Sequence, residues 1–211
     1  MKDEKIKCII FDMDGTLVDS MNVLVKAAIR AVKKYLNLPD EKIEQVYRET
    51  TGMPFSKQVT FLTKDEEVCK KITEEFKKEK NKIFFECPLF EDAKEVIKYL
   101  RDNEYLICLS SGALQESVDK YLQRHPLQLD LALGFRPPNF NKLLHMDFIM
   151  KKFELSNEEL AFVGDSPADM RYAKHKGVLA IGKIGTVDAE MLKSAGAGMI
   201  IKDLKELVNI F

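Results

Sequence analysis

The sequence predicts an α/β fold in which helices cover both faces of a parallel sheet. Short apolar runs recur along the chain, and each is followed by a turn and then by a helix-like segment. These runs are nearly continuous in apolar residues instead of alternating, which is typical of central strands buried on both faces. Repeated strand-helix alternation of this kind predicts a doubly wound, Rossmann-like parallel sheet.

The individual elements follow in chain order. Four apolar runs predict strands, and a weaker fifth strand is expected around residues 198–202. The four runs are "KCIIF" (7–11), "YLICLS" (105–110), "LAFVGD" (160–165) and "VLAIG" (178–182). Helices are predicted over residues 91–102, 113–124, 142–154, 167–176 and 203–209.

A long interruption separates the first two predicted strands. The intervening sequence reads mostly as helix, whereas the loops of a βα unit usually need only about 2–6 residues. We therefore predict an inserted helical subdomain over residues 17–87. The α/β core is then formed by residues 1–16 and 88–211.

Composition limits the classes of partner. The chain has 211 residues, of which 45% are hydrophobic and 32% charged, and its formal net charge is -1. It therefore has no global basic field for nucleic acid or an anionic membrane. The four cysteines form no C-x-x-C pair, and no apolar run resembles a signal peptide or a membrane span. We expect a cytoplasmic protein without nucleic-acid or membrane partners.

Two acids follow the first predicted strand in "FDMDGT". Asp12 and Asp14 are two residues apart, so on an extended segment their side chains project the same way. Ligands of open α/β sheets bind at this carboxyl edge. Gly15 frees the backbone for a tight turn. A solvated turn explains these residue types equally well when they are taken alone.

Two further acids follow the predicted strand "LAFV" in "GDSPADM". Ser166 is a good helix N-cap, Pro167 suits the first helical position, and Asp169 lies where a capping-box acid is found. Capping alone therefore explains Asp169. It does not explain Asp165, which ends a buried strand.

The four acids are expected to converge if these two strands are neighbours in the sheet. Each close carboxylate pair in a partly desolvated cleft costs about 1 kcal/mol in water and several times more at lower dielectric. A divalent cation relieves this repulsion. All-oxygen ligation suits magnesium, so we predict Mg²⁺ held by Asp12, Asp14, Asp165 and Asp169.

A third strand-to-helix junction predicts an anion site. Ser110, Ser111 and Gly112 offer hydroxyls and backbone N–H groups at an expected helix N-terminus. Lys142 begins the next predicted helix, where the helix dipole does not favour a lysine. Ordinary serine capping and a surface lysine are the alternatives. The three histidines, including His145, show no ligand spacing, and we expect no catalytic role for them.

Together these signals resemble the haloacid dehalogenase superfamily of phosphohydrolases over essentially the whole chain. "FDMDGTLVDS" is similar to its first motif almost letter for letter. Ser110 resembles the second motif, Lys142 the third and "GDSPADM" the fourth. The helical insert is similar to the cap of the phosphoglycolate phosphatase-like and β-phosphoglucomutase-like branch. Within that insert, the loop formed by Thr51, Gly52 and Met53 resembles the one that reaches over the active site.

The third motif departs from the family pattern. It usually reads Lys-Pro, whereas Lys142 is followed by Leu143. Lys151 and Lys152 are rival candidates, although they lie closer to the fourth motif. The acidic turn that usually precedes this lysine is absent as well. The departures concern the lysine assignment and the substrate class rather than the fold.

The resemblance implies roles for the site residues. Asp12 would be the nucleophile that forms an aspartyl-phosphate, and Asp14 the acid and then the base. Magnesium would be held by Asp12, by the backbone carbonyl of Asp14 and by Asp165, with Asp169 as a further ligand or hydrogen-bond acceptor. Charge on the transferring phosphoryl oxygens would be stabilised by Ser110 with the adjacent N–H groups and by Lys142, while Thr16 orients the loop and contacts phosphate.

The expected activity is hydrolysis of a small phosphorylated metabolite by a monomer or homodimer. Asp14 argues against carbon–halogen hydrolysis, which needs no acid for the leaving group. A phosphomutase is the closer alternative, and Thr16 favours the phosphatase because mutases of this branch often carry an aliphatic residue there. A non-catalytic phosphate-binding protein on the same fold would need no Asp14.

Overall fold

A parallel sheet forms the centre of the molecule. A computed structural model of the chain describes residues 5–211, so the prediction for residues 1–4 lies outside the described part. Within it, six strands pair in parallel in the order β3-β2-β1-β4-β5-β6. The strands are β1 (Cys8–Phe11), β2 (Leu106–Leu114), β3 (Leu131–Phe135), β4 (Leu160–Gly164), β5 (Leu179–Lys183) and β6 (Met199–Ile201).

Helices cover both faces of this sheet. Over residues 5–211 they are α1 (Met21–Lys33), α2 (Asp40–Glu49), α3 (Phe55–Gln58), α4 (Glu66–Ile83), α5 (Ala93–Asp102), α6 (Gln115–Arg124), α7 (Lys142–Phe153), α8 (Pro167–Lys176), α9 (Ala189–Ala195) and α10 (Leu207–Ile210). One apolar cluster joins Ile9 and Phe11 to α5, α6 and α10. A second joins Cys8 and Ile10 to α7, α8 and α9. Because side chains of a strand alternate between faces, β1 is buried on both sides.

The predicted fold class is confirmed, although strand β3 and helix α9 of the α/β core were not predicted. The α/β sheet, its parallel strands and the helices between them are as expected. Strand β3 was not predicted, because it is a short edge strand, half-buried at both ends and interrupted by Gly134. Helix α9 is only seven residues long and was also missed. Its N-cap is Asp188, whose side chain accepts a hydrogen bond from the Met191 N–H.

Helices α1 to α4 form an apolar cluster of their own. Helix α1 packs against both α2 and α4, and residues such as Leu24, Ile43 and Ile72 are buried between them. The chain leaves and re-enters the core along adjacent segments, since the Asp19 N–H donates to the Pro88 carbonyl at 2.9 Å. This arrangement is compatible with the predicted insert, whose exact limits stay a prediction.

Among the helices of residues 5–211, none combines the length and the apolar character that crossing a membrane demands.

Candidate active site

The sheet register brings the first and fourth sequence motifs together. Phe11 at the end of β1 is level with Leu109 on β2 and with Val163 on β4. The next residue, Asp12, is therefore level with Ser110 on one side, and its N–H donates to the Val163 carbonyl at 2.9 Å. These positions lie at the carboxyl edge of the parallel sheet, where ligands of this fold class bind.

A buried ammonium joins two of the predicted acids. Lys142 is the first residue of α7, which is capped by the Asn141 side chain accepting from the Leu143 N–H. Its Nζ lies 2.7 Å from Asp12 Oδ1 and 2.5 Å from Asp169 Oδ1. All three side chains are buried, so the charges interact with little screening by solvent.

Burial and the opposite charges shift the pKa values of this cluster. Burial raises the pKa of Asp12 well above its usual range, while the neighbouring Lys142 opposes that change. Burial also works against the charge on Lys142, but the carboxylates of Asp12 and Asp169 outweigh it and raise the lysine pKa. Lys142 is therefore a permanent cation at neutral pH. Its rivals Lys151 and Lys152 are exposed on the same helix.

Asp165 is held by two hydroxyl groups. Thr16 Oγ1 donates to its Oδ1 at 3.1 Å, and Thr186 Oγ1 donates to its Oδ2. Burial and the negative charge of Asp169 raise the pKa of Asp165 to about 6, although both hydroxyls favour the ionised form. Gly15 has a φ of +78°, and a Cβ there would lie 2.0 Å from Asp165 Oδ2. Glycine is thus required both by the backbone conformation and by the proximity of the carboxylate.

Three of the four predicted acids form a group that fits a cation. Oxygen atoms of Asp12, Asp165 and Asp169 all lie within 4.8 Å of one another, and no other such group of acids, cysteines or histidines was found in residues 5–211. The donor set is purely carboxylate, which is the chemistry that Mg²⁺ prefers. The residues present therefore fit a magnesium ion.

The Asp14 carboxylate does not join this group, so the expectation of four converging carboxylates was wrong. Strand β1 ends at Phe11, and the chain then turns, so the alternation expected of an extended segment no longer applies. Asp14 Oδ1 accepts a hydrogen bond from Ser20 Oγ at 2.7 Å, and Asp14 Oδ2 lies 3.3 Å from Lys80 Nζ. Lys80 belongs to α4 of the helical insert, and the sequence had offered no signal for it.

The second motif lies on a strand instead of at a helix N-terminus. Strand β2 continues to Leu114 and α6 begins only at Gln115, so the predicted helix start at residue 113 was wrong. Ser110 and Ser111 are buried, whereas Gly112 is exposed. Pairing of Leu114 with Phe135 on β3, beyond a register shift, extends the strand through these residues.

The predicted capping role of Ser166 is confirmed, and the same motif also contributes acids to the site. Ser166 is the N-cap of α8, and its Oγ accepts from the Asp169 N–H at 3.1 Å. The same hydroxyl donates to Asp169 Oδ2 at 2.6 Å. Asp169 therefore contacts the capping hydroxyl through Oδ2 and Lys142 through Oδ1.

The predicted cap loop contacts the core next to this helix. Gly52 has a φ of +89°, and a Cβ there would lie 2.5 Å from the Ala168 Cβ and 2.7 Å from Ser166 Oγ. Thr51 Oγ1 donates to the Tyr47 carbonyl at 2.8 Å, back toward its own helix. The Met53 carbonyl accepts from Gln58 Nε2 at 2.9 Å. Of the three predicted loop residues, Gly52 is thus the one packed against the core.

Comparisons with known proteins decide the family. The model of the haloacid dehalogenase-like hydrolases matches residues 9–183. The chain belongs to this family. It is 24% identical to the phosphoglycolate phosphatase of Vibrio parahaemolyticus, covering 100% of this chain and 98% of that protein. It is also 24% identical to the phosphoserine phosphatase of Campylobacter jejuni subsp. doylei, covering 97% of this chain and 99% of that one.

Solved structures of the family share the fold. A haloacid dehalogenase-like hydrolase from Streptococcus pneumoniae superimposes with a TM-score of 0.83 at 18% identity, covering 97% of this chain and 98% of the other. With phosphatases as its named relatives, the chain is a phosphatase of the haloacid dehalogenase-like family, as the sequence motifs predicted.

Proposed function

We propose that this phosphatase hydrolyses a small phosphomonoester with magnesium and through an aspartyl-phosphate on Asp12. The observation that carries the proposal is the position of Asp12. One of its carboxylate oxygens contacts the Lys142 ammonium at 2.7 Å, and it shares an oxygen cluster with Asp165 and Asp169. Asp12 thus lies beside both a cation suited to the phosphoryl oxygens and two other candidate metal ligands, which supports its role as the nucleophile.

The metal site consists of Asp12, Asp165 and Asp169, with the backbone carbonyl of Asp14 added by analogy with the family. Bound magnesium supplies charge neutralisation for the phosphoryl group and for the crowded carboxylates. Thr16 and Thr186 keep Asp165 in place by donating to its two oxygens. The Asp14 carboxyl group stays outside this set and carries out proton transfer.

The reaction has two steps. In the first, a carboxylate oxygen of Asp12 bonds to phosphorus as the bond to the leaving oxygen breaks, and Asp14 gives its proton to that oxygen. In the second, Asp14 takes a proton from water, whose oxygen bonds to phosphorus and releases Asp12. Ser20 and Lys80 hold the Asp14 carboxyl group in one orientation through both steps.

The transferring phosphoryl group is bound by Lys142 and by the second motif. Lys142 supplies the cation, and the Ser110–Gly112 segment supplies hydroxyl and backbone donors, while Thr16 acts indirectly by donating to Asp165. These groups lie at the carboxyl edge of the sheet near Asp12. Stabilising the charge on the phosphoryl oxygens is the main work of the protein in phosphoryl transfer.

Residues 17–87 act as a cap that excludes water and selects the substrate. Gly52 packs on the N-terminal turn of α8, and Lys80 reaches Asp14 from the same insert. Closure therefore brings cap residues to the acid and to the metal-binding helix at once. The named relatives act on phosphoglycolate and phosphoserine, so we place the substrate among small cytoplasmic phosphorylated metabolites.

A phosphate-release screen tests this function. It compares sugar phosphates, phosphoglycolate, phosphoserine and nucleotides, each with magnesium and with a chelator, for the natural chain and for Asp12→Asn. The expected result is magnesium-dependent release that Asp12→Asn abolishes. The matched control is Asp147→Asn, an acid on α7 that pairs with Lys176 away from the site. Undiminished hydrolysis by Asp12→Asn would refute the nucleophile, and release without magnesium would refute the metal.

A further inference from the structure

A histidine without an expected role lies directly behind the phosphate-binding segment. His145 is fully buried one turn into α7. Its Nδ1 lies 2.9 Å from Ser110 Oγ, and its Nε2 lies 3.1 Å from the Gly134 carbonyl oxygen at the end of β3. The Phe140 ring packs against the imidazole at 4.6 Å between centroids. The side chain is thus held from three elements.

These partners determine which ring nitrogen carries the proton. A carbonyl oxygen can only accept, so the contact with Gly134 requires a proton on Nε2. In the neutral ring Nδ1 is then an acceptor, and the hydroxyl of Ser110 must donate to it.

The surroundings keep the ring neutral. Burial lowers the pKa of His145 to about 4, and the nearby cations Lys142 and Arg136 act in the same direction, while the Gly134 and Phe140 carbonyls favour the charged ring. The two charged groups that act on the ring, Lys142 on α7 and Arg136 after β3, are both cations. Nδ1 therefore stays an acceptor at neutral pH.

A serine hydroxyl has only one proton to donate. We propose that His145 is a positioning residue that holds the Ser110 proton, so that a phosphoryl oxygen must compete with His145 Nδ1 for it. The inference rests on the proposed function, in which Ser110 contacts the phosphoryl group. Donating to phosphate leaves Nδ1 without a partner in a buried place, and that loss offsets much of the gain from the new hydrogen bond.

The consequence is weaker retention of phosphate. A hydroxyl that is already satisfied inside the protein adds little to the binding of inorganic phosphate, the product of the proposed reaction. His145 thus favours product release by making Ser110 a poor net donor. Removing the imidazole acceptor should make the Ser110 hydroxyl a strong hydrogen-bond donor to phosphate.

Nitrogen NMR of the imidazole rings tests the first half of this inference. The chain has three histidines, so selective labelling gives a spectrum with few signals. We expect His145 to show the Nε2–H form with a hydrogen-bonded Nδ1 from pH 6 to pH 8. Saturating inorganic phosphate should shift the Nδ1 resonance toward that of a free acceptor. A proton on Nδ1, or an Nδ1 resonance that reaches the free-acceptor position once phosphate is bound, overturns the proposal.

A double-mutant cycle tests the second half. Calorimetry measures binding of inorganic phosphate to the natural chain, Ser110→Ala, His145→Phe and the double variant. We expect Ser110→Ala to weaken binding less than about twofold alone, but about tenfold in the His145→Phe background, because the freed hydroxyl gains a full hydrogen bond. Equal effects in both backgrounds overturn the proposal.

Controls separate this inference from the proposed function. His175→Asn changes an exposed histidine and should leave phosphate binding and the His145 signals unchanged. Neither measurement requires turnover, so an inactive enzyme refutes the proposed function without deciding this inference. If His145→Phe fails to fold, the NMR titration of the natural chain still decides it.

Discussion

The ammonium of Lys142 lies 2.7 Å from a carboxylate oxygen of Asp12, and both side chains are buried. Neither charge is stable there alone, because desolvation of an isolated ion costs several kcal/mol. In the proposed function this pair serves both stability and chemistry, because the lysine that neutralises the proposed nucleophile would also neutralise the phosphoryl group.

Replacing Lys142 with methionine should reduce both activity and stability. The change leaves two buried acids, Asp12 and Asp169, without their cation. We expect kcat to fall about a hundredfold or more and the free energy of unfolding to fall by about 3–5 kcal/mol. Activity assays and denaturant unfolding measure these effects. Added magnesium should restore part of the lost stability, because it neutralises the same carboxylates.

Lys151→Met is the matched control on the exposed face of α7. It should leave kcat unchanged. A comparable loss in both variants would mean that Lys142 acts only through the helix on which it stands.

Replacing Lys80 with methionine should impair proton transfer by Asp14. The substitution removes the cation 3.3 Å from Asp14 Oδ2 and leaves Ser20 as the other partner. We expect kcat to fall about tenfold, since a misplaced acid loses part of the usual contribution of general acid–base catalysis. The loss should be smallest for substrates with good leaving groups, such as aryl phosphates, which need little protonation.

The control for Lys80 is Lys77→Met, an exposed lysine on the same helix. It should behave like the natural chain. A loss in Lys80→Met that is equal for aryl and alkyl phosphates would argue against an effect on Asp14.

Replacing Gly52 with alanine should weaken contact between the helical insert and the core. The new Cβ would lie 2.5 Å from the Ala168 Cβ at a backbone φ of +89°. We expect a loss of about 1–2 kcal/mol from backbone strain, together with a raised KM, because the loop has to retreat from α8. Steady-state kinetics and thermal unfolding measure the two effects.

Gly198→Ala is a suitable comparison, because a Cβ there meets nothing closer than 3.5 Å and the residue has no positive φ. It should change neither KM nor stability appreciably. An unchanged KM in Gly52→Ala would contradict the closed contact between Gly52 and α8.

The buried His145 should make stability depend on pH in a defined window. Its folded pKa is about 4, below the ordinary value of 6.5, so between these values the unfolded chain binds a proton that the folded chain does not. Stability from this residue is therefore complete above about pH 6.5 and is lost as pH falls toward 4. Asp165, whose pKa is raised to about 6, contributes with the opposite sign.

The difference between the natural chain and His145→Phe isolates the histidine contribution. Denaturant unfolding at several pH values should show this difference growing as pH rises from 4 to 6.5 and staying constant above. A difference that is flat across this range would show that the ring is not kept neutral by the fold.

Local sequence patterns were sufficient to predict most of the fold. Continuous apolar runs ending in turns were sufficient to predict β1, β4 and β5, because strands buried on both faces consist mainly of apolar residues. Strand β3 was not predicted, because an edge strand is only partly buried and needs no continuous apolar run. The end of β2 was predicted too early for a related reason. Its last residues pair with β3, and β3 itself had not been predicted.

By itself, the sequence determined the parallel α/β sheet and placed Asp12 and Asp165 at its carboxyl edge, because strand burial and strand ends are local properties. Only the tertiary structure decided which distant partners these residues meet. Lys80 is 66 positions from Asp14, and His145 is 35 positions from Ser110. No periodicity links such pairs; their contacts follow from how the helical insert and α7 pack on the sheet. The two acids of the first motif are visible in the sequence, whereas the contact between Ser110 and His145 exists only in the folded chain.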